Sequence, residues 1–370
     1  MMKRAAPTLF SILLFVFSLT KTAALAAENT IVWKSIGPFL ESADAQTWTV
    51  KNLPAGAQPR SFEFYALRFH LGYYQLRLVD IAQFARTKAA DIARQQSVDE
   101  DSPALFELGV RTVFRTNPFP EPIVAVAPAG FAASEQRPTN FGLLKIDGQS
   151  EAKLIPKGGL SAILCLNNAP SPNYQYQVPT FFRAGDPNQA KLVNECRDEV
   201  QLGPRIIEDP GNTSRSQFEA SPNRYEVQTY NRKINGKLTP ETIFLGISEK
   251  ESFSTPYLRS LIAVDDPGRF AENQSSKNYE RDLARNAYLV VTTKPATLWD
   301  LQDMLSSPEF YANERYAPHW AVNLPGENYA TMIHVASMSR NQDGRETRPV
   351  EVGATDQRQA SVLVVSKRKQ

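Results

Sequence analysis

Apolar and polar residues alternate in many short stretches of this chain, with the period of two that is typical of half-buried β-strands. Two such stretches lie within 62–79, on either side of Gly72, which is predicted to occupy the turn between them. Further strands are predicted from short apolar runs that are bounded by turn-forming residues; these runs cover 123–126, 141–146, 160–166, 258–264, 287–292, 320–324, 331–336 and 360–365. Strands therefore outnumber the other predicted elements.

Helical periodicity is limited to three segments. Apolar side chains recur on one face from Ile81 to Ile92, and a short helix is predicted from Pro103. Thr297 to Asp300 is close to a capping box, in which two side chains each accept a bond from the other residue's backbone N–H group. Together the strands and the few helices predict an α+β fold with a strand-rich mixed sheet.

Several polar segments lack a clear period and are predicted to be loops. A first strand followed by a loop is expected within 29–60, and the Pro-, Asn- and Tyr-rich segment 167–186 is predicted to be a loop. The charged segment 268–285 is expected to be an insertion, and Lys367 to Lys369 a solvated tail. The 26 prolines against 18 glycines fit stiff connections and long loops.

The N-terminus has the features of a secretory signal peptide over residues 1–26. Two basic residues precede an apolar stretch at 9–19, and small residues at 24 and 26 offer a cleavage site. An uncleaved N-terminal anchor is the alternative, although the stretch is shorter than the roughly 20 residues that a membrane span needs. We therefore expect a periplasmic or secreted protein with no membrane span after signal cleavage.

The rest of the chain has an ordinary globular composition, with 42% hydrophobic and 22% charged residues. We expect it to form an N-terminal segment (27–60) followed by a single domain (61–370). The formal net charge of +2 provides no excess of basic residues, so no nucleic-acid partner is expected.

Cysteine and histidine are scarce. The two cysteines, Cys165 and Cys196, are expected to form a disulfide in an exported protein, and two buried thiols are the alternative. The three histidines lack the spacing of a zinc site, and each is expected to be hydrogen-bonded or exposed. The sequence has no glycine-rich phosphate loop, dinucleotide fingerprint or nucleophile elbow. We therefore expect neither a metal nor a cofactor.

Four segments, taken in order, resemble the phosphodiester glycosidase family. They are Val124 to Phe131 with the glycine-containing strands of 141–148, the Gln-Leu-Gly-Pro element from Gln201, the strand from Arg259, and Asn323-Leu324-Pro325-Gly326. Each segment is unspecific alone, and the resemblance depends on their order and spacing. It implies an exported hydrolase that acts on sugar phosphodiesters of envelope or exopolysaccharide glycans.

The resemblance also implies roles for individual residues. Arg259 is the implied phosphate partner, because a planar guanidinium can bind two oxygens at once; a salt bridge at a strand end is the alternative. Asn323 would form a hydrogen bond with a sugar hydroxyl; the alternative is a turn residue that bonds the backbone. Glu327 would supply the carboxylate; the alternative is a solvated loop residue. The implied substrate-binding residues, each with an ordinary structural alternative, are Gly130, Gln201, Gly203 and His334.

Two prolines depart from the family pattern. Pro128 stands where the family usually has Asn, and Pro325 replaces the acidic residue of its Asn-Leu-Asp-Gly-Gly element. Proline offers neither a side-chain proton acceptor nor a backbone donor. A hydrolase, a catalytically degenerate glycan-binding protein and a structural envelope protein therefore stand as separate hypotheses.

Overall fold

The structure is a computed structural model. It describes residues 29–53, 58–81, 83–84, 109–132, 140–152, 154, 160–166, 179–184, 196–208, 211–212, 226–234, 237–245, 254–265, 286–312, 317–326, 330–338, 348–355 and 359–369. Within these ranges strands dominate and the helices are short, so the predicted strand-rich α+β class is confirmed. The predicted signal peptide, the insertion at 268–285 and Glu327 lie outside the described residues.

The described residues form 22 strands. In chain order they are β1 (Lys34–Gly37), β2 (Leu40–Thr49), β3 (Ser61–His70), β4 (Tyr74–Asp80), β5 (Ile123–Pro128), β6 (Phe131–Ala132), β7 (Asn140–Phe141), β8 (Leu144–Ile146), β9 (Gln149–Ala152), β10 (Ala162–Leu166), β11 (Pro179–Arg183), β12 (Asp198–Leu202), β13 (Arg205–Glu208), β14 (Gly211–Asn212), β15 (Glu226–Ile234), β16 (Lys237–Leu245), β17 (Ser260–Asp265), β18 (Asn286–Thr292), β19 (Pro318–Leu324), β20 (Met332–His334), β21 (Val350–Val352) and β22 (Ser361–Lys367). The helices are α1 (Val110–Thr116), α2 (Leu298–Leu305) and α3 (Pro308–Tyr311).

Three large sheets organise these strands. The order is β1-β2-β3-β18-β17-β19-β13-β14 in the eight-stranded sheet, β21-β20-β5-β22-β4 in one five-stranded sheet and β11-β10-β12-β8-β9 in the other. The pairs β6–β7 and β15–β16 form two-stranded ribbons. All described strand pairs are antiparallel rather than mixed. Antiparallel neighbours need no crossover helix, which agrees with the shortness of the described helices.

The main core lies where the three large sheets face one another. It contains buried side chains such as Leu67 of β3, Leu363 of β22 and Leu164 of β10. The opposite face of the eight-stranded sheet is covered by α2 and α3, whose Leu298 and Phe310 pack into a second cluster. We call this helix-covered side the outer face of the sheet. Each central strand is therefore buried on both faces, which explains the continuous apolar runs in its sequence.

Several local predictions are confirmed. Strands β3 and β4 flank Gly72 as expected, although they belong to different sheets. The capping box of α2 is present: the Thr297 hydroxyl accepts from the Asp300 N–H group at 3.1 Å, and the Asp300 carboxylate accepts from the Thr297 N–H group at 2.9 Å. The predicted disulfide joins Cys165 to Cys196.

Three predictions about irregular segments are wrong. The segment before residue 60 contains the ten-residue strand β2, whose bulge after Ala43 interrupts the alternation that marks a strand in sequence. The predicted loop 167–186 contains β11, which pairs with β10 because it offers buried Phe181 to the core. The terminal tail is ordered in part, since Lys367 ends β22 and the Arg368 Nε donates to the Leu71 carbonyl at 2.7 Å.

No described helix is both long enough and apolar enough to cross a membrane. Nor do the described side chains of His, Cys, Asp and Glu form a group of three or more that could hold a metal ion.

Candidate functional site

Three of the four family-like segments meet where the chain passes from β12 into β13. Gly203 and Pro204 form this connection, and they carry the chain from a five-stranded sheet into the eight-stranded one. The Gly203 N–H group donates to the Asn323 carbonyl at 3.0 Å, and the Asn323 N–H group donates to the Pro204 carbonyl at 3.0 Å. A Cβ atom on residue 203 would lie 2.9 Å from that carbonyl oxygen and 3.1 Å from Phe131 Cζ. Glycine is therefore required by close approach here.

Arg259 and Asn323 lie on the same face of the eight-stranded sheet. Asn323 pairs with Leu261, and side chains of paired residues point to one side, as do side chains two positions apart. Arg259, two positions before Leu261, is thus a diagonal neighbour of Asn323, at a typical Cβ separation of about 7–8 Å. Gly326 packs against the backbone beside Arg259, because a Cβ atom there would lie 2.7 Å from the Leu258 carbonyl oxygen.

We call Phe131, Gly203, Arg259, Asn323 and Gly326 the motif cluster. Arg259 and Asn323 are 5% and 4% exposed, whereas Phe131 and Gly326 are half-buried. The motif cluster therefore has a buried polar part and a partly exposed edge, on the helix-covered side of the sheet. Its polar side chains offer a cation, an amide donor and an amide acceptor, which are the groups that a phosphate and a sugar would use.

The Arg259 side chain is held by the backbone around it. Its Nε donates to the Ala296 carbonyl at 3.3 Å and its Nη2 donates to the Thr255 carbonyl at 2.7 Å. The guanidinium carbon lies 5.0 Å from the centre of the Tyr257 ring, within cation–π range. Arg259 thus anchors the chain before β17, and part of its donor capacity is used in doing so.

Asn323 is the most unusual polar residue of the motif cluster. Its Oδ1 atom is buried and has no hydrogen-bond partner among the described residues. A buried acceptor without a partner typically costs about 1–3 kcal/mol, so such atoms are uncommon in the interior of proteins. Asn323 lies in β19 rather than in a turn, and its Oδ1 is an acceptor that no described residue uses.

Gly130 and Gln201 have structural contacts of their own. The Gly130 N–H group donates to the Ser361 hydroxyl at 2.8 Å, and a Cβ atom there would lie 2.4 Å from Asn140 Oδ1. The Gln201 Oε1 accepts from the Leu143 N–H group at 3.1 Å, and its Nε2 donates to the Leu160 carbonyl at 2.8 Å. Gln201 therefore fixes the loop segments beside β12.

His334 is buried away from the motif cluster. Its Nδ1 lies 2.8 Å from the Val335 carbonyl oxygen, and its Nε2 lies 3.5 Å from Asp44 Oδ1. Ala43, the residue before Asp44, lies in the same cross-strand row as Asn323, four strands away. At about 4.8 Å per strand this is roughly 19 Å. The structure thus does not bring His334 to Asn323.

Glu199 is a buried acid that the sequence pattern did not single out. It lies in β12 and is 3% exposed, with its Oε1 3.7 Å from Lys145 Nζ and its Oε2 without a partner among the described residues. Burial, partly opposed by Lys145, raises the pKa of Glu199 to about 7. The signal in the sequence was an acidic pair, Asp198 and Glu199, inside a strand that continues as Val-Gln-Leu. Four extended residues, about 13 Å, separate Glu199 from Gly203.

Comparisons with known proteins give low similarity. Neither a known family profile nor a curated protein sequence matches the chain. A similar structure is the catalytic domain of zebrafish N-acetylglucosamine-1-phosphodiester alpha-N-acetylglucosaminidase, auto-inhibited by its pro-peptide. It has a TM-score of 0.46 and 12% identity over 90% of this chain and 86% of that chain.

Two bacterial structures are also similar. A hypothetical protein from Synechocystis has a TM-score of 0.44 and 11% identity, over 93% of this chain and 65% of that chain. A protein of Burkholderia pseudomallei K96243 that is predicted to be exported has a TM-score of 0.38 and 11% identity, over 83% of this chain and 74% of that chain. These identities and TM-scores assign neither a family nor an activity to this chain.

Proposed function

We propose that this chain is an exported, hydrolase-like protein that acts on sugar phosphodiesters of envelope or exopolysaccharide glycans at the motif cluster. The observation that supports the proposal is the contact between Gly203, Asn323 and Phe131, which come from three separate family-like segments. Arg259 lies diagonally next to Asn323 on the same face. A ligand at this point would meet the cation and the amide together.

In this proposal each polar group has a chemical role. Arg259 directs N–H groups at the phosphate oxygens, and Asn323 Oδ1 accepts a bond from a sugar hydroxyl. Water attacks the anomeric carbon, the bond from that carbon to the phosphate oxygen breaks, and a phosphate monoester leaves. Because that leaving group is good, the reaction chiefly needs a carboxylate to take the proton from water, and Glu327 is the candidate.

A second candidate function is glycan binding without cleavage. It is favoured by the contacts of Arg259, whose guanidinium is already bonded to the carbonyls of Ala296 and Thr255. It is also favoured by Pro325, which stands next to Gly326 of the motif cluster and cannot act as an acid. Both functions use the same ligand, but only cleavage needs a catalytic carboxylate.

The decisive experiment measures turnover of a chromogenic phosphodiester of N-acetylglucosamine by the mature protein and by Asn323→Leu. Leucine has nearly the shape of asparagine but no unpartnered oxygen, so we expect this variant to lose turnover while its unfolding free energy stays equal or rises by about 1–3 kcal/mol. The matched control is Ser260→Ala, which removes another buried, unpartnered oxygen from the opposite face of the same sheet region. The control should keep both turnover and fold.

The possible results separate the two functions. Loss of turnover in Glu327→Gln as well as in Asn323→Leu would support hydrolysis with Glu327 as the general base. Saturable binding of the phosphodiester without turnover, abolished in Asn323→Leu, would favour the binding protein. Absence of both turnover and binding across a panel of sugar phosphodiesters would overturn both functions.

A further inference from the structure

An exposed pair of aromatic rings lies at the far end of the eight-stranded sheet. Phe39, in the turn between β1 and β2, stacks on Tyr73, in the turn between β3 and β4, with ring centroids 4.0 Å apart and an interplanar angle of 15°. The two side chains are 56% and 38% exposed. Among the described residues the other exposed large apolar side chains, Val32 and Leu154, are aliphatic. This exposed, stacked pair has no role in the core.

The backbone of Phe39 is strained. Its φ is +54°, a left-handed conformation that a bulky L-residue rarely adopts. Glycine or asparagine would occupy the turn without that strain. The position therefore carries an aromatic ring that the turn itself does not require, and strain of this kind is concentrated at binding and catalytic sites.

The turns that carry the two rings are firmly held. The Phe39 carbonyl accepts from the His70 N–H group at 3.1 Å, and the Tyr74 hydroxyl donates to the Pro38 carbonyl at 2.8 Å. Arg368 clamps the second turn: its backbone N–H group donates to the Tyr73 carbonyl at 2.8 Å and its Nε to the Leu71 carbonyl at 2.7 Å. The exposed surface is thus pre-organised, which lowers the entropic cost of binding.

His70 adds a polar donor to the edge of the aromatic pair. Its ring centroid lies 5.8 Å from that of Phe39 and 5.5 Å from that of Tyr73. The Nδ1 atom accepts from the Gly72 N–H group at 2.9 Å, so the neutral ring carries its proton on Nε2. Burial, with a smaller contribution from the charge of Arg368, lowers the pKa of His70 and keeps the imidazole neutral near pH 7.

We propose that Phe39 and Tyr73, with His70 at their edge, form a binding platform for a pyranose ring of a glycan. The C–H groups on one side of a pyranose suit the negative face of an aromatic ring, while its hydroxyls need donors and acceptors around that face. The His70 Nε2–H group and the Tyr73 hydroxyl supply them. Two rings are too small an area for a stable protein interface, which buries about 800 Å² on each partner.

The platform is distinct from the motif cluster. Tyr65 of β3 pairs with Val291, and Val291 pairs with Ser260, the residue that follows Arg259 in the chain. Tyr65 therefore marks the position of Arg259 along β3. His70 lies five residues further along β3, or roughly 17 Å. The platform would therefore hold a glycan chain at a second point, and it does not depend on hydrolysis at the motif cluster.

The test is saturation-transfer NMR of the mature protein with four neutral trisaccharides: maltotriose, cellotriose, xylotriose and tri-N-acetylchitotriose. We expect at least one to bind and Phe39→Gly to weaken that binding about tenfold, because the stacking face is lost. The Tm of Phe39→Gly should not fall, since glycine relieves the strained turn. Phe39→Tyr keeps the ring and should bind like the wild type.

Two control variants lie away from the platform, one on the surface and one in the motif cluster. Leu154→Ala removes an exposed aliphatic side chain elsewhere, and Asn323→Leu disables the motif cluster, so both should retain trisaccharide binding. Four results would overturn the platform: no binding of any trisaccharide, equal binding by Phe39→Gly, loss of binding in Asn323→Leu, or a fall in Tm of Phe39→Gly that accounts for its weaker binding. Binding of the protein to phosphatidylcholine vesicles, abolished in Phe39→Gly, would instead assign these rings to a membrane surface and would also overturn it.

Discussion

Asp44 and His334 form a polar contact between two of the large sheets. Asp44 belongs to the bulged part of β2, and His334 to β20 of a five-stranded sheet. The nearby His334 imidazole, with help from Ser42 and Lys34 and against the opposing effect of burial, lowers the pKa of Asp44. Because the carboxylate is 37% exposed, water screens much of this interaction.

Asp44 should make the protein sensitive to acid. A carboxyl whose pKa is lower in the folded state stabilises the fold above its unfolded pKa of about 3.9, and this stabilisation is lost as the pH falls through the folded value. We expect Asp44→Asn to lower the unfolding free energy by about 1 kcal/mol near pH 6. The difference from the wild type should vanish towards about pH 2. Urea unfolding across this pH range measures it, and a difference that is independent of pH would contradict the assignment.

The roles of single residues can be predicted from the sequence only in part. The cap at Thr297 and Asp300 could be predicted because a capping box is a local pattern. The burial of His334 against Asp44 could not, since it depends on how two sheets pack across the core. The motif identifies Asn323 as a candidate, but its unpartnered Oδ1 depends on the register of β19 against β17.

Strand β12 connects a buried acid to the motif cluster. Glu199 lies opposite Cys165 in the pairing of β12 with β10, and Lys145 is its cross-strand neighbour in β8. The pKa of Glu199, raised to about 7, means that the folded chain keeps a proton that the unfolded chain has released. Its carboxyl is therefore neutral in the folded state below that pH.

The effect of Glu199 on stability should have the opposite sign to that of Asp44. As the pH rises from about 4.5 to above 7, wild-type stability should fall relative to Glu199→Gln, by up to about 3 kcal/mol. The measurement is the unfolding free energy of both proteins at several pH values in this window. Lys145→Met serves as the companion variant: without the cation the pKa of Glu199 should rise further. Parallel pH profiles of wild type and Glu199→Gln would rule out a buried titrating acid.

Elements with a simple period were predictable, and the others were not. The apolar runs of β5, β17 and β18 identify strands because both of their faces are buried. The hairpin of β15 and β16 has a largely polar and charged sequence, and it was not predicted. Pairing between strands distant in sequence, such as β3 with β18, depends on the whole fold, so the sheet order could not be inferred from local pattern.

The disulfide joins β10 to the residue that precedes β12 in one five-stranded sheet. Cys165 is in β10 and Cys196 precedes β12, with a sequence separation of 31. In the chain-entropy view, a crosslink over such a loop lowers the entropy of the unfolded chain and raises the free energy of unfolding by about 4 kcal/mol at 25 °C. Both half-cystines pack in a small cluster with Leu143, Ile163 and Phe182.

Replacing both cysteines should lower the stability of the molecule without changing its fold. We expect the Cys165→Ala/Cys196→Ala variant to lose about 4 kcal/mol of unfolding free energy relative to the oxidised protein. Guanidinium unfolding followed by circular dichroism measures the loss. Dithiothreitol should destabilise the wild type and leave the double variant unaffected. An equal response of both proteins to dithiothreitol would mean that the bond does not act in this way.

The last described strand lies inside a sheet rather than at its edge. β22 is flanked by β4 and β5, which come more than 200 residues earlier, and it supplies Leu363 and Val365 to the main core. A chain synthesised from its N-terminus therefore leaves β4 and β5 without the strand between them until residues 361–367 have been made. This sheet therefore cannot close before the β22 residues are present, and a chain truncated before Ser361 would present two open strand edges.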